Sequence, residues 1–300
     1  MKHIDFHISY QCINKCIFCS SSDSIETFHD HPLDYKKIIS LLKEKRKKFN
    51  SVHFTGGEPT LYPFFGQLVE RAKQMGYKIA VGTNGAGFAD KRFCTRTASF
   101  ISEVCFSFHG HTAALHNLHT QNKKSFDIVN RAVKNLSEFD LYLMSNTVIT
   151  KYNAGHLDKI LSFLKKKKIK QVLLSNLAPE GRGLKNYRRI LVRLKEIEKM
   201  VPGLVKLADD LGLVLRFFGL PACILGEYAE HSNDFFWDPR LNIELVRERE
   251  KIFPKQEKGW LPIRSRIKTP TCRRCSYRNI CGGIFQEYNR IFKDSELKTR

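Results

Sequence analysis

The chain has 300 residues, of which 42% are hydrophobic and 27% are charged, an ordinary composition for a globular protein. No apolar run approaches the roughly 18–20 residues of a membrane-spanning helix, and the N-terminal segment lacks the apolar stretch of a signal peptide. We therefore expect a cytoplasmic protein with no membrane partner. Lysine and arginine number 51 against 30 aspartate and glutamate, a formal charge of +21, which favours anionic partners.

The longest basic stretches, 43–48 and 165–168, fall at the ends of predicted helices. There a solvated helix face that suits the C-terminal dipole explains the lysines better than nucleic-acid binding does. Nucleic acid remains a possible partner but is not the favoured one.

Strand and helix signals alternate through the first two-thirds of the chain. Apolar alternation and short apolar runs predict strands at 3–9, 52–55, 77–81, 104–108, 141–149 and 171–177. Helical spacing predicts helices at 33–48, 62–75, 126–136, 156–167 and 187–211. Such repetition predicts an α/β fold of parallel strands joined by right-handed crossovers, and six units fit an open, partial (βα)6 TIM-like barrel.

The pattern changes after residue 212. A further strand is predicted at 213–218, the segment 226–262 shows no clear periodicity and is expected to be irregular, and the end of the chain is rich in cysteine. We therefore predict two domains: residues 1–212 form the barrel, and residues 213–300 form a small cysteine-rich module.

Nine cysteines in a chain without an export signal indicate metal or thiol chemistry rather than disulfides. Cys94 and Cys105 stand alone in apolar surroundings and are expected in the core. The other seven form an N-terminal cysteine group of Cys12, Cys16 and Cys19 and a C-terminal cysteine group of Cys223, Cys272, Cys275 and Cys281.

The N-terminal cysteine group supplies three thiolates in a loop directly after the first predicted strand. Cuboidal iron–sulfur clusters are usually held by four thiolates, so three would leave one iron open to a small molecule. A structural zinc site is the alternative, but it usually wants four ligands, and only one C-x2-C pair is present here. By themselves the three cysteines leave both possibilities open.

Two further features complete a known signature. Phe18 precedes the last cysteine of a C-x3-C-x2-C motif, and Gly56-Gly57-Glu58 follows the second predicted strand. In this order the motifs resemble those of the radical S-adenosylmethionine superfamily. The resemblance implies a [4Fe–4S] cluster on the N-terminal cysteine group, with S-adenosylmethionine chelated to the open iron. Gly56 and Gly57 would let the backbone approach the cofactor's ammonium group, and Glu58 would help to orient it.

The resemblance also implies the chemistry and further cofactor-contacting residues. Reduction by a low-potential flavodoxin- or ferredoxin-type donor would cleave the cofactor to methionine and a 5′-deoxyadenosyl radical that abstracts hydrogen from substrate. Thr83, in a Thr-Asn-Gly turn after the third strand, Ser107 at the end of the fourth strand, and Asn146 in the fifth strand are expected to line the cofactor site.

The C-terminal cysteine group resembles a SPASM/twitch-type auxiliary module through its C-x2-C-x5-C spacing. Phe285 stands where a full SPASM module has a further cysteine, which favours a shorter, twitch-like version with one auxiliary [4Fe–4S] cluster. Cys223 is the expected fourth ligand; without it, an open iron could bind substrate. A zinc knuckle flanked by Arg273, Arg274 and Arg278 is the alternative.

Four histidines follow the fourth predicted strand: His109, His111, His116 and His119. Metal binding is conceivable, but the preferred interpretation is a loop at the mouth of the barrel, with His109 facing substrate.

The leading functional hypothesis is a radical S-adenosylmethionine enzyme that modifies or dehydrogenates a peptide, a protein side chain or a small molecule. Nucleotide or tRNA modification is the alternative within the family. A nucleic-acid-binding zinc protein and an iron–sulfur electron carrier are the alternatives of another class.

Overall fold

The predicted alternation of strands and helices is present in the computed structural model of the chain, which describes residues 3–259 and 265–299. The strands are β1 His3–Ser9, β2 Ser51–Gly56, β3 Lys78–Thr83, β4 Glu103–Ser107, β5 Tyr142–Val148, β6 Gln171–Ser175, β7 Val214–Phe218, β8 Arg240–Glu248, β9 Lys251–Gly259, β10 Arg266–Ile267 and β11 Ile284–Phe285. The α-helices are α1 Ser22–Phe28, α2 Tyr35–Lys45, α3 Phe65–Gln74, α4 Lys91–Thr97, α5 Ala113–Thr120, α6 Ser125–Leu136, α7 Leu157–Lys166, α8 Gly181–Lys185, α9 Tyr187–Ile190, α10 Leu194–Asp210, α11 Ala222–Leu225 and α12 Gln286–Phe292.

Nine of these strands form one sheet in the order β7-β6-β5-β4-β3-β2-β1-β8-β9. Strands β1 to β7 pair with their chain neighbours in parallel, and helices connect them. The predicted α/β fold with a partial barrel is confirmed. Solved structures discussed below share this architecture.

The two faces of the sheet differ in polarity. One face presents fully buried apolar residues such as Phe6, Phe54 and Val81 to the crossover helices. The alternate residues on the other face are half-buried and largely polar, as at Ser107 and Asn146. A partial barrel therefore encloses a polar concave surface, and the loops at the carboxyl ends of its strands lie at one rim, where active sites of such folds occur.

The expectation of an irregular segment at 226–262 was wrong for residues 240–259, and residues 260–262 lie outside the described residues. Strands β8 and β9 form an antiparallel hairpin, and β8 pairs in parallel with β1, His3 opposite Arg240. Strand β8 carries buried Leu241, Ile243 and Leu245 at every second position, which is a strand signal. Strand β9 is a largely exposed edge strand with little apolar pattern of its own.

Two further differences concern the boundary region. The long helix expected at 187–211 is divided into α9 and α10 by an extended stretch that begins at Leu191. The sheet also continues past residue 212 through β7, β8 and β9. The division into domains 1–212 and 213–300 therefore stays a prediction. No helix within residues 3–259 and 265–299 is long and apolar enough to cross a membrane.

Candidate functional site

The N-terminal cysteine group lies in residues 10–21, the loop between β1 and α1, which we call the cysteine loop. The Sγ atom of Cys12 accepts hydrogen bonds from the Asn14 N–H and the Asn84 Nδ2, both at 3.4 Å. Burial, together with the charges of Glu58 and Cys19, raises the pKa of the Cys12 thiol to about 11, although the two hydrogen bonds act in the opposite direction. Burial likewise raises the pKa of the Cys16 thiol, as do the charges of its two partner cysteines.

Three thiols held together in this way ionise only with a cationic partner, and thiolate donors are what iron–sulfur clusters take. Tetrahedral zinc with Zn–S bonds of about 2.3 Å would hold its sulfurs about 3.8 Å apart. Among the described residues, neither cysteine group brings three ligand atoms within 4.8 Å of one another.

The Gly56-Gly57-Glu58 segment docks against the start of the cysteine loop. The N–H of Gly57 donates to the Ser9 carbonyl and that of Glu58 to the Gln11 carbonyl, both at 2.7 Å. Gly56 has a φ of +131°, and a Cβ at Gly57 would lie 2.5 Å from the Gln11 oxygen. Both glycines are therefore required by a backbone-to-backbone contact, whereas their contact with a cofactor stays a prediction.

Glu58 is fully buried and joins the ends of β2 and β3. Its carboxylate accepts hydrogen bonds from the Thr60 hydroxyl at 2.6 Å, the Thr83 hydroxyl at 2.7 Å and the Asn84 N–H at 2.6 Å. Burial raises the pKa of Glu58, while these donors act in the opposite direction. Through Asn84 the network reaches Cys12. The Thr-Asn-Gly turn is visible in the sequence, but only Thr83 was predicted as a site residue and Asn84 was missed.

The remaining predicted cofactor contacts lie around the same rim. Ser107 and Asn146 are register partners on β4 and β5, and Asn146 Oδ1 accepts a hydrogen bond of 2.6 Å from the Ser175 hydroxyl. Phe18 is buried, with its ring centroid 4.5 Å from that of His109. The structure therefore brings these residues to the carboxyl ends of the strands, and their contact with a cofactor stays a prediction.

The histidine-rich segment builds a support beneath the cysteine loop. His109, His116 and His119 are buried. Nε2 of His116 lies 3.1 Å from the Ser125 hydroxyl, which also accepts a hydrogen bond of 3.1 Å from Asn14 Nδ2. The backbone N–H of Asn14 donates to the Cys12 sulfur, so His116 is linked to the cysteine loop through the side chains of Ser125 and Asn14.

Helix α5 holds the same loop by its C-terminal carbonyls. The Lys15 N–H donates to the Thr120 oxygen and the Ile17 N–H to the His119 oxygen, both at 2.9 Å. His119 itself bonds the Leu115 carbonyl through Nδ1 and the Thr150 hydroxyl through Nε2, each at 2.7 Å. With its ring nitrogens engaged by protein, His119 acts as a structural residue.

One group of metal-type side chains does converge among the described residues, on the concave face. His3 Nε2 and His53 Nδ1 lie 3.2 and 3.1 Å from Asp5 Oδ1. The second Asp5 oxygen accepts a hydrogen bond of 3.0 Å from Arg240 Nη1. Although burial raises the pKa of Asp5, these hydrogen bonds and the charges of His53 and Arg240 hold it well below its usual range. A guanidinium already neutralises this carboxylate, so we interpret the group as an ion-pair network.

The C-terminal cysteine group lines a single cavity, together with the cationic residues Lys268, Arg278 and Lys298. Burial, together with the charges of the other three cysteines, raises the pKa of the Cys223 thiol to about 11. Cys223 therefore lies near the three cysteines that are distant in sequence.

A buried ion pair fixes the end of this cavity. Arg266 donates two hydrogen bonds to the Asp234 carboxylate, at 2.9 and 2.8 Å. The same carboxylate accepts from the Gly282 N–H at 2.8 Å, and Arg266 Nε donates to the Gly283 oxygen at 3.0 Å. The ion pair thus fixes Gly282 and Gly283, the two residues that follow Cys281. No local sequence signal could reveal this pair, because its partners are far apart along the chain.

Parallel strands in a partial barrel, with three thiols in the first loop, define an iron–sulfur barrel protein. The family model of the Radical SAM superfamily matches residues 6–164, and the chain belongs to that superfamily. Membership implies an enzyme with a [4Fe–4S] cluster and S-adenosylmethionine.

Individual relatives are more distant. The chain is 28% identical over 182 residues to the mycofactocin maturase MftC of Mycobacterium tuberculosis, a match that covers 60% of this chain and 46% of that protein. It is 25% identical over 160 residues to an S-adenosylmethionine-dependent nucleotide dehydratase of Flammeovirga pacifica, covering 50% and 54%. The chain thus spans about half the length of these curated relatives.

Solved structures show the same fold. Streptococcus suis SuiB bound to S-adenosylmethionine has a TM-score of 0.64 at 17% identity, covering 99% of this chain and 76% of that one. The protein anSMEcpe with bound AdoMet and a Cp18Cys peptide has a TM-score of 0.56 at 23% identity, covering 68% and 59%.

The buried imidazole of His116 predicts a pH dependence of stability. Burial and the charge of His119 lower the pKa of His116 from its ordinary 6.5 to about 3. Its stabilising contribution as a neutral group is therefore present above pH 6.5 and is lost as the pH falls from 6.5 towards 3. Linkage gives a loss of about 2 kcal/mol in the free energy of unfolding between pH 7 and pH 5. Urea unfolding at a series of pH values should show that the free energy of unfolding falls less with decreasing pH in H116Q than in the wild type.

The matched control is H31Q, because His31 lies on the surface. Its free energy of unfolding should depend on pH as that of the wild type does. An H116Q slope equal to that of the wild type would contradict a buried, neutral His116.

Proposed function

We propose that the chain is a radical S-adenosylmethionine enzyme that modifies a peptide or protein side chain and carries one auxiliary [4Fe–4S] cluster. The observation that carries this proposal is the construction of the cysteine loop. The loop that carries these three half-buried cysteines is fixed by the Gly56-Gly57-Glu58 segment and by helix α5.

In this function Cys12, Cys16 and Cys19 bind the first cluster. The residues that would contact the cofactor lie in the cysteine loop and at the carboxyl ends of the strands: Phe18, Gly56, Gly57, Glu58, Thr83, Ser107 and Asn146. When bound, cluster and cofactor supply a 5′-deoxyadenosyl radical by one-electron reduction, with methionine as the other product. The protein orients the cofactor and keeps water away from the concave face. Asn84 and the Asn14 N–H each donate to the Cys12 sulfur and so favour its thiolate.

The C-terminal cysteine group binds the auxiliary cluster with all four thiolates, because Cys223 lines the same cavity as the other three. Full ligation suits electron transfer rather than substrate binding. The module of residues 213–300 serves this role beside the barrel of residues 1–212. The acidic, low-potential donor, a flavodoxin or ferredoxin, is attracted by the charge of +21. Nine free thiols suit a reducing, cytoplasmic compartment.

Peptide modification is favoured by the similarity to a maturase over 60% of this chain. Nucleotide modification is the second candidate, because the similarity to a nucleotide dehydratase is of comparable extent.

The first test is cofactor cleavage by the N-terminal cysteine group. Anaerobically reconstituted and reduced protein should form 5′-deoxyadenosine from S-adenosylmethionine, measured by liquid chromatography. C12A, C16A and C19A should each abolish it, because each removes a cluster ligand. C94A is the matched control and should keep the activity, since Cys94 is a buried cysteine on helix α4. Bound zinc without deoxyadenosine in the wild type would refute the proposal.

The second test concerns the auxiliary site. Reconstituted wild type should contain about eight irons per chain, four for each cluster. C272A and C223A should lower the count to about four and still form 5′-deoxyadenosine without coupled turnover. A C223A protein that retains about eight irons would show that Cys223 is not required for the second cluster.

The third test identifies the substrate class. Source cells grown in D2O supply a deuterated peptide fraction and a deuterated nucleotide fraction. Hydrogen abstraction transfers deuterium to 5′-deoxyadenosine, which mass spectrometry detects. Label should come from the peptide fraction. Label from the nucleotide fraction alone would replace peptide modification by nucleotide modification.

A further inference from the structure

Arg182 contacts the cysteine loop from the side opposite helix α5. Its backbone N–H donates to the Cys19 carbonyl at 3.0 Å and to the Ser22 hydroxyl at 2.8 Å. Its side-chain Nε donates to the Cys16 carbonyl at 3.0 Å. One residue therefore binds the backbone of two of the three cysteines. A fourth contact joins Nη1 to the Glu26 carboxylate at 3.2 Å.

The chain around Arg182 is shaped for this approach. Gly181 has a φ of +51°, and a Cβ there would lie 2.6 Å from the Cys19 oxygen. A Cβ at Gly183 would lie 3.1 Å from the Phe18 oxygen and 2.4 Å from the Ala178 oxygen. Helix α8 thus begins with its backbone directly against the cysteine loop. The close packing leaves little freedom in where the guanidinium can lie.

The guanidinium also acts electrostatically on the thiols. The guanidinium is a permanent cation, and its hydrogen bond to the Cys16 carbonyl holds that charge beside the cysteine loop. The carboxylate of Glu26 offsets this only in part, because its side chain is 57% exposed and water screens it, whereas that of Arg182 is 20% exposed. A net positive field therefore acts on the cysteine loop.

We propose that Arg182 is a positioning residue that fixes Cys16 and Cys19 and raises the reduction potential of the cluster assigned to them. The inference rests on the proposed function. One-electron reduction adds a negative charge to the cluster, and a fixed cation beside its ligands stabilises the reduced state over the oxidised one. Charge and hydrogen bonds around cluster sulfurs are known determinants of such potentials.

Lys185 provides a matched control on the same helix. Its Nζ pairs with the Asp23 carboxylate at 3.2 Å, and its side chain is 60% exposed. Like Arg182 it is a cation that pairs with an acidic residue of helix α1. It differs in having no hydrogen bond to the carbonyl of a cluster cysteine among the contacts described for it.

The test is a redox titration of the reconstituted full-length protein, followed by electron paramagnetic resonance. The N-terminal cluster is recognised as the signal that changes when S-adenosylmethionine is added. R182Q should retain the iron of the wild type but shift the midpoint potential of this signal to a more negative value. R182K keeps the charge, so its midpoint potential should lie closer to that of the wild type. K185A should have the midpoint potential of the wild type.

The outcomes separate this inference from the proposed function. An R182Q midpoint equal to those of R182K and wild type would overturn the role of the charge. If R182Q fails to retain the cluster, the midpoint potentials of R182K and R182A are compared at equal iron content. A shift of equal size in both variants would leave packing as the only role of Arg182 and overturn the inference. A wild type without a signal that responds to S-adenosylmethionine would instead overturn the proposed function.

Discussion

The structure of the site depends on one backbone contact, the docking of Gly56 and Gly57 against residues 9–11. At both glycines a Cβ would lie within 2.5 Å of a carbonyl oxygen, so no other residue fits without movement of the loop. This contact brings Glu58 into the interior, where a carboxylate needs donors, and Thr60, Thr83 and Asn84 supply them. The ends of β1, β2 and β3 are thereby joined. A change at any one of them is transmitted to the cysteine loop through hydrogen bonds that cannot be exchanged for water.

The cysteine loop has no regular secondary structure, yet its backbone polar groups are engaged on several sides. The carbonyls at the end of helix α5 accept from it, and Arg182 donates to it. Ligands held in this way are preorganised, because little conformational entropy remains to be lost when a cluster binds. The buried histidines belong to the same arrangement. The expectation of a loop was wrong for His116 and His119, which lie on helix α5 and bond to neighbouring protein groups, whereas the expectation that His109 faces substrate stays a prediction.

What could be predicted from the sequence was what is local. Apolar periodicity identifies the crossover strands, and spacing identifies the cysteine and glycine motifs. The partial barrel and the two cysteine groups could therefore be predicted. The hairpin of β8 and β9 was missed although β8 carries a strand signal, because the exposed edge strand β9 has little apolar pattern and the pairing of β8 with β1 joins residues more than 200 positions apart. The same limit applies to Asn84, Arg182 and the Asp234–Arg266 pair. Each gains its role from a partner that only the folded chain places beside it.

The number of thiols at each centre separates their roles. In the proposed function, three ligands at the N-terminal group would leave a coordination position for a small molecule, whereas four at the C-terminal group would close the cluster and restrict it to electron transfer. Both centres have cations nearby, Arg182 at one and Lys268, Arg278 and Lys298 at the other. Positive charge favours thiolate ligands and the reduced state at each centre.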